Sequence, residues 1–266
     1  MSTFYGRASR GALLATTRGT RLGKSLSASV TRDPDANRAR ILDAATGEFA
    51  RSGLGGARVD RIAAAAGANK RMLYYYFGNK EALFSAVLEA AYARIRVAET
   101  KLSLLDVPPD EGVRRLVAFT WDYYVKHPEF ITLLSSENLH GARHLKALPR
   151  IRSMNSPVIE TLGEILRRGR REGVFKANPD PLQLYISIAA LSYFYLGNKH
   201  TLGAVFGRAL TQPAARRERL AHMIEVVLGY LRHGAGGTIG APPCLSPARR
   251  RAKHIDSNAR STTIGN

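Results

Sequence analysis

Apolar residues recur every three or four positions along most of the chain between about residues 34 and 233. This spacing places them on one face of an α-helix, whereas a half-buried strand would alternate with a period of two. No segment shows that alternation, and no internal repeat is visible. The pattern predicts an all-α fold. The predicted helices are about 35–51, 59–66, 70–76, 79–102, 110–126, 129–139, 156–172, 181–198 and 213–232.

Prolines stand where these helices are predicted to begin. Asp33-Pro34, Ser156-Pro157 and Asp180-Pro181 each join a capping side chain to a proline at the first helical position, and Pro213 is placed likewise after Gln212. Proline is tolerated there because its missing N–H would have no helical partner. These pairs therefore predict the beginnings of four helices.

Helix length divides the periodic part of the chain in two. The first three predicted helices end near Phe77, and the next is long, with an apolar stripe that runs from Leu83 to Ile95. We expect a small N-terminal domain at 34–80 and a larger helical domain at 81–233. Residues 1–33 and 234–266 are rich in Gly, Ser, Thr and Arg without periodicity, which predicts disordered tails.

The net charge changes the picture of partners. Forty Lys and Arg residues against 21 Asp and Glu give +19 in 266 residues, which favours a polyanion such as nucleic acid. About half of this excess lies in the two tails, with six basic residues in 1–33 and five in 234–266. The single Cys244 cannot form an internal disulfide, and no apolar run is long enough to span a membrane. We expect a soluble cytoplasmic protein.

The segment from Arg58 to Phe77 has the layout of a helix-turn-helix. Its first part, RVDRIAAAA, carries one apolar stripe, Gly67 supplies a permissive turn residue, and Asn69 is a good cap for a second helix. If Leu73 faces inward in that second helix, Phe77 lies 40° away and also faces inward. The outward face then consists of Arg71, Met72, Tyr74 and Tyr75.

Three consecutive tyrosines after Lys70 and Arg71 need an explanation. Cations in the first turn oppose the helix dipole, but they suit a helix whose N-terminal end approaches phosphates or base edges. Tyrosine hydroxyls can bind phosphates and their rings can pack on sugars. The alternative is that the tyrosines are half-buried under the next helix and that both cations are only solvated.

The stretch RARILDAATGEFARSGLGGARVDRIAAAAGANKRMLYYYFGNKEALFSAVL resembles the N-terminal domain of the tetracycline-repressor (TetR) family of bacterial transcription regulators. The resemblance covers roughly residues 36–90. Residues that carry it are Ile41, Ala44, Ala45, Phe49, Gly53, Ile62, Ala63, Gly67 and the LYYYFGNKEAL block.

The resemblance implies roles for individual residues. Lys70, Arg71 and Met72 would face base edges, and Tyr75 and Tyr76 would contact backbone or bases. Lys80 and Arg58 would lie near phosphates. The residues predicted to bind DNA are therefore Arg58, Lys70, Arg71, Met72, Tyr74, Tyr75, Tyr76 and Lys80. Tyr76 replaces a frequent histidine and Met72 a small residue or threonine, so the preferred operator sequence is not transferable.

In this family the remaining helices receive a small-molecule effector and form a homodimer, which would bind palindromic double-stranded DNA. The nearly all-apolar helix 181–198 and the stripe of helix 213–232 favour such pairing. Polar and aromatic residues of the larger domain are the candidate effector contacts. They are Trp121, Tyr124, His127, Glu137, Asn138, His140, Arg143 and Tyr193.

Glu137, His140 and His144 follow a helical spacing that can also serve a metal ion. Gly141 interrupts that helix, so a polar ligand contact or structural hydrogen bonding is preferred, and no metal or cofactor is predicted. Arg143 is a candidate ion-pair partner of Glu137.

Two other classes of protein are alternatives to a ligand-responsive repressor. An enzyme is disfavoured because the sequence has no catalytic triad motif, phosphate loop or nucleophilic cysteine. A ligand-independent architectural DNA-binding protein that uses its basic tails remains the alternative.

Overall fold

The computed structural model describes residues 33–234, and the predictions for the two tails lie outside this range. The described residues form eleven α-helices and no strand, which confirms the all-α prediction. The helices are α1 (Pro34–Gly56), α2 (Val59–Ala65), α3 (Lys70–Phe77), α4 (Lys80–Thr100), α5 (Pro109–Lys126), α6 (Pro128–Leu139), α7 (Arg143–Lys146), α8 (Arg150–Arg171), α9 (Pro181–Gly197), α10 (Lys199–Phe206) and α11 (Pro213–His233).

The prediction that Pro157 opens a helix was wrong, because α8 begins seven residues earlier and Pro157 lies inside it. A proline in that place removes the hydrogen bond to the carbonyl four residues before it. That carbonyl belongs to the exposed Ser153, so water can replace the missing donor. The short helices α7 and α10 were not predicted.

The N-terminal helices share a small core. Ile41 and Phe49 of α1 and Ile62 of α2 are fully buried, and Leu73 of α3 is 2% exposed. Between α2 and α3, Gly67 has a φ of +59°, a left-handed conformation that favours glycine. The core and this turn fix α3 against α1 and α2.

This small domain packs against the rest of the protein through two helix–helix contacts of α1. α1 packs against both α4 and α6, and α4 continues through the larger domain, where it packs against α7 and α8. The ring of Phe84 on α4 lies edge-on to Phe49 of α1, with 5.1 Å between the ring centroids. A displacement of α4 or α6 would therefore be transmitted to the helices that carry α3.

The larger domain is built around α5, which contacts α8, α9 and α11. On α11, the side chains of Met223, Val227, Leu228 and Leu231 are buried inside the same chain. The apolar stripe read from the sequence thus faces the protein's own core. No helix among residues 33–234 is both long and apolar enough to cross a membrane.

Candidate functional site

The exposed face of α3 has the orientation predicted from the sequence. Leu73 and Phe77 are 2% and 8% exposed, whereas Tyr75 is 83% and Tyr74 49% exposed, and Arg71 also lies on the surface. An aromatic surface next to arginine is unusual for a solvated face because burying those rings would stabilise the fold. The face is therefore available to contact another molecule.

The N-terminus of α3 is held by a side-chain cap. Asn69 Oδ1 accepts a hydrogen bond of 2.9 Å from the N–H of Met72, whose side chain is half-buried. Lys70, in the first turn, forms an ion pair with Asp60 of α2. Both side chains of this pair are at least half exposed, so the pair adds little stability, about 0–1 kcal/mol.

The three tyrosines differ in burial: Tyr76 is half-buried, as the alternative interpretation of the run expects, whereas Tyr74 and Tyr75 are exposed, as contact with DNA requires. The side chain of Tyr76 packs on the core, while its ring lies 5.2 Å from that of Tyr75 and 6.4 Å from that of Phe77. It therefore supports Tyr75 from the core side.

A buried carboxylate, which the sequence did not reveal, fixes the beginning of α2. Glu48 on α1 is 3% exposed, and its Oε1 accepts a 3.1 Å hydrogen bond from the N–H of Arg58. Burial alone would raise the pKa of Glu48, but this bond and the nearby Arg51 and Arg61 lower that pKa below its usual range. The side chain of Arg58 stays on the surface, and Lys80 Nζ donates to the carbonyl of Ala57 at 3.4 Å.

A second buried carboxylate connects α6 and α7 to the beginning of α4. Glu137 of α6 is 1% exposed and accepts bonds from the N–H groups of His144 (2.8 Å) and Leu145 (3.0 Å) and from His144 Nδ1 (2.6 Å). The other ring nitrogen of His144 lies 2.7 Å from Glu81, near the N-terminus of α4. Arg143 also contacts Glu81, at 3.2 Å, so its predicted pairing with Glu137 was wrong.

The other candidate effector residues are spread over the domain. Trp121 is buried against Tyr195, and His127 lies beside Glu129 at 3.0 Å. Asn138 and His140 bond to carbonyls of α6, those of Leu134 and Ser136. The hydroxyl of Tyr193 lies 2.7 Å from that of Ser135.

Of the eight candidates, Tyr124 alone lines a cavity of about 300 Å³ between α4, α5, α6, α8 and α9, here called the inner cavity. Most of its walls are apolar or aromatic, as is usual for a small-molecule site. It is lined by Tyr92, Arg96, Tyr124, Phe130, Leu134, Asn155, Ile159, Leu182, Tyr185, Ile186 and Ala189.

Arg96 also borders a second space of about 520 Å³, the outer cavity, formed by the end of α4, the loop after it and α8. Arg96 Nη1 lies 2.7 Å from Oε2 of Glu99, but the two groups are not aligned as a hydrogen bond. Within the described residues, Arg96 Nε and both oxygens of Glu99 have no hydrogen-bond partner. The ion pair is therefore buried and incompletely satisfied.

The sequence contained a signal for this pair that its analysis missed. Glu99 follows Ile95 by four residues and Ala91 by eight, so it extends the apolar stripe of α4 into the core. An acid at the end of such a stripe indicates a buried charge.

The buried Glu99 should make stability depend on pH. Desolvation raises its pKa to about 7, although Arg96 opposes the shift. The folded state then holds a proton that the unfolded state releases near pH 4.5, so this stabilisation is present below pH 4.5 and is lost as pH rises through about 7. The loss should reach at most about 3 kcal/mol.

Urea unfolding of the protein and of a Glu99→Gln variant between pH 4.5 and 8.5 measures this effect. Stability relative to the variant should fall with rising pH, since other titrating groups cancel in the difference. Parallel curves would contradict the assignment.

No group of three or more His, Cys, Asp or Glu side chains in the described part of the chain is placed to hold a metal ion. Glu137 and His144 do meet, but in the hydrogen-bonded contact described above.

Comparisons with known proteins agree with both halves of this architecture. Residues 41–87 match the family model described as bacterial regulatory proteins, tetR family, and residues 109–227 match a tetracyclin repressor-like C-terminal domain.

Among curated proteins, the chain is 40% identical over 198 residues to the transcriptional repressor NicS of Pseudomonas putida, which covers 74% of this chain and 93% of NicS. It is 36% identical to the repressor SCO4008 of Streptomyces coelicolor, over 61% of this chain and 80% of the relative.

Similar solved structures include the putative regulator SCO4942 of Streptomyces coelicolor, with 27% identity and a TM-score of 0.54 over 71% of this chain and 97% of that one. A second solved structure, described as the molecular basis for control of antibiotic production by bacterial hormones, has 26% identity and a TM-score of 0.52. The match covers 73% of this chain and 97% of that one.

Proposed function

The chain belongs to the TetR family and is a DNA-binding transcriptional repressor, and on this premise we propose that it acts as a homodimer on a palindromic operator and is released by a small-molecule effector. The observation that carries the proposal is the exposed Arg71–Tyr75 face of α3 on a core that holds α3 rigidly. A cytoplasmic location follows from a chromosomal target.

The proposed DNA-binding surface comprises the residues predicted from the sequence. Arg71, with Tyr74 and Tyr75 beside it, would enter the major groove, where an arginine can bind the O6 and N7 of guanine together. Lys70 would exchange its contact with Asp60 for a phosphate. Arg58, at the exposed start of α2, and Lys80, at the start of α4, would hold the backbone on either side, and Met72 and Tyr76 would support the face from its rim.

The exposed apolar residues of α9 and α11 support dimerisation. Leu182, Ile186 and Phe194 recur at multiples of four along α9 and are 48%, 48% and 60% exposed. Val226 and Tyr230, also four apart on α11, are 43% and 45% exposed. An apolar surface on two neighbouring helices is suited to a four-helix interface with a second copy.

Replacing Phe194 with glutamate should therefore convert the protein into monomers at micromolar concentration, because two charges would be buried in each symmetric interface. Light scattering after size exclusion should show the mass falling to that of one chain. Thr132→Glu adds the same charge to an exposed face of α6 and should leave the dimer intact. A monomeric parent protein, or an unchanged mass in the Phe194→Glu variant, would contradict the proposed interface.

The contacts between domains support release by an effector. A ligand in the inner cavity would touch α4, α5, α6, α8 and α9, and two of these helices, α4 and α6, pack on α1. His144 adds a polar connection between α6 and the beginning of α4. A ligand that prefers one arrangement of these helices would change the spacing of the two α3 helices in a dimer and lower operator affinity.

Selection of random duplex DNA by the full-length protein, followed by sequencing, tests the proposal directly. We expect an inverted repeat whose half-sites are separated by about one helical turn, as two-fold-related recognition helices require. Enrichment without a consensus, together with binding that falls steeply with salt on any sequence, would favour the ligand-independent architectural protein instead.

A further inference from the structure

The inner cavity contains a positive charge that the protein does not fully neutralise. The Arg96 side chain is 11% exposed; its Nη2 donates a 2.7 Å hydrogen bond to the Tyr185 hydroxyl, while its Nε has no partner in the described chain. A buried guanidinium with incomplete pairing is unfavourable, and an anion that completes its hydrogen bonds would be bound strongly. The first indication of the cavity's ligand is therefore a negative charge.

Other polar groups of this cavity are mainly donors. Burial raises the pKa of Tyr92, Tyr124 and Tyr185, so their hydroxyls stay protonated at neutral pH. The oxygen of Tyr185 accepts from Arg96, which leaves its own hydrogen free to donate. Within residues 33–234, the hydroxyls of Tyr92 and Tyr124 form no hydrogen bond. Several donors with few competing acceptors favour an acceptor-rich group such as a carboxylate.

Acidic side chains distinguish the two cavities that meet at Arg96. The outer cavity is lined by Glu99 and Asp106, whose charges would repel an anion. No aspartate or glutamate is among the described residues that line the inner cavity. An anionic group is therefore favoured on the inner side of Arg96.

The remaining walls indicate what is attached to the charge. The ring of Phe130 lies 5.5 Å from that of Tyr92 and 5.7 Å from that of Tyr124, so three aromatic rings form one continuous surface. Such a surface suits the face or edge of another ring. A volume of about 300 Å³ lies at the lower end of the usual range for ligand sites, which limits the ligand to a small molecule.

We propose that the inner cavity binds a small aromatic monocarboxylate, with the carboxylate against Arg96 and the ring among Tyr92, Tyr124 and Phe130. This inference rests on the proposed effector role of the cavity and specifies the chemical class of the effector. Glu99 contacts Arg96 from the outer cavity and neutralises it only in part, and the ligand carboxylate would pair with Arg96 on the inner side. Replacing Glu99 with glutamine should therefore preserve or strengthen ligand binding.

Calorimetry and thermal shift without DNA test the inference on the full-length dimer. The probes are benzoate, 4-hydroxybenzoate and indole-3-acetate, each paired with its uncharged amide. We expect at least one acid to bind and raise the melting temperature, and its amide to bind at least about 30-fold more weakly, because a buried arginine would lose its charged partner.

Variants identify the residue responsible. Arg96→Gln is made together with Glu99→Gln, so that the Glu99 carboxylate is not left buried without its partner. This double variant should bind the ligand acid at least about 30-fold more weakly and the ligand amide unchanged. Tyr185→Phe keeps the ring, removes one donor and should weaken binding of the ligand acid by a smaller factor. It provides the test if the double variant does not fold.

Three results would overturn the inference: no acid binds, the amides bind as tightly as the acids, or the Arg96 and Tyr185 variants bind the acids unchanged. Release of operator DNA is measured separately. An acid that binds through Arg96 without releasing DNA would support the assigned chemistry and contradict the effector role.

Discussion

Replacing Glu137 with alanine should lower the free energy of unfolding by about 3–5 kcal/mol, the range for removing one partner of a buried ionic contact. The carboxylate is 1% exposed and accepts three hydrogen bonds from His144 and Leu145, so its removal leaves two buried donors of His144 and one half-buried donor of Leu145 without this partner. It also leaves a cavity at the junction of α6 and α7.

Urea unfolding measured by circular dichroism is the appropriate test, with Asn138→Ala as the matched control. Asn138 is the next residue of α6, is exposed, and donates only to the carbonyl of Leu134, so its removal should change stability by less than about 0.5 kcal/mol. Glu137→Gln keeps an acceptor for the two backbone N–H groups and should lie between the two. Equal stability of the Glu137→Ala and Asn138→Ala variants would show that the network contributes nothing.

Replacing Arg71 and Tyr75 together with alanine should weaken binding to the selected operator by at least about 100-fold. Each direct base contact contributes about 1–3 kcal/mol, and a dimer loses both contacts in each half-site. Both side chains are exposed, so the melting temperature of the protein should hardly change. Fluorescence anisotropy with labelled operator DNA at fixed salt measures the loss.

Arg170→Ala is the control for charge, because it removes one exposed cation at the end of α8, far along the chain from α3. It should reduce operator affinity only slightly. If the Arg71/Tyr75 variant keeps its affinity for the operator and for random DNA, the base-reading role of α3 is wrong.

The orientation of α3 could be predicted because two large apolar residues, Leu73 and Phe77, fix the rotation of a short helix. The periodicity of the sequence is sufficient for this purpose. The four residues of α7 make only about one turn, too few for a periodic pattern, and α10 has no buried residue that would give it an apolar stripe. Their positions depend on tertiary contacts, such as the bonds from His144 and Leu145 to Glu137.

The inner cavity could not be located from the sequence for a different reason. Its polar residues lie on helices that are distant along the chain, such as Arg96 on α4 and Tyr185 on α9. The sequence points to polar and aromatic residues of one central region, where several form local bonds instead, as Asn138 and His140 do. Tyr124, which is both buried and aromatic, lines this cavity, and its contact with an effector stays a prediction.

The ion pair between Lys70 and Asp60 bears on how the protein would distinguish its operator from the excess of other DNA. A lysine that neutralises a phosphate releases a condensed cation, and this release strengthens binding to any sequence. Asp60 stays on the protein and repels the same phosphates, so it lowers the electrostatic affinity for DNA of any sequence. The free energy of the contacts to specific bases is not changed by this repulsion. The acid would therefore shorten the time spent on every site, operator and background alike. The ratio of their affinities, which sets regulation in a genome, would be left to the contacts with bases.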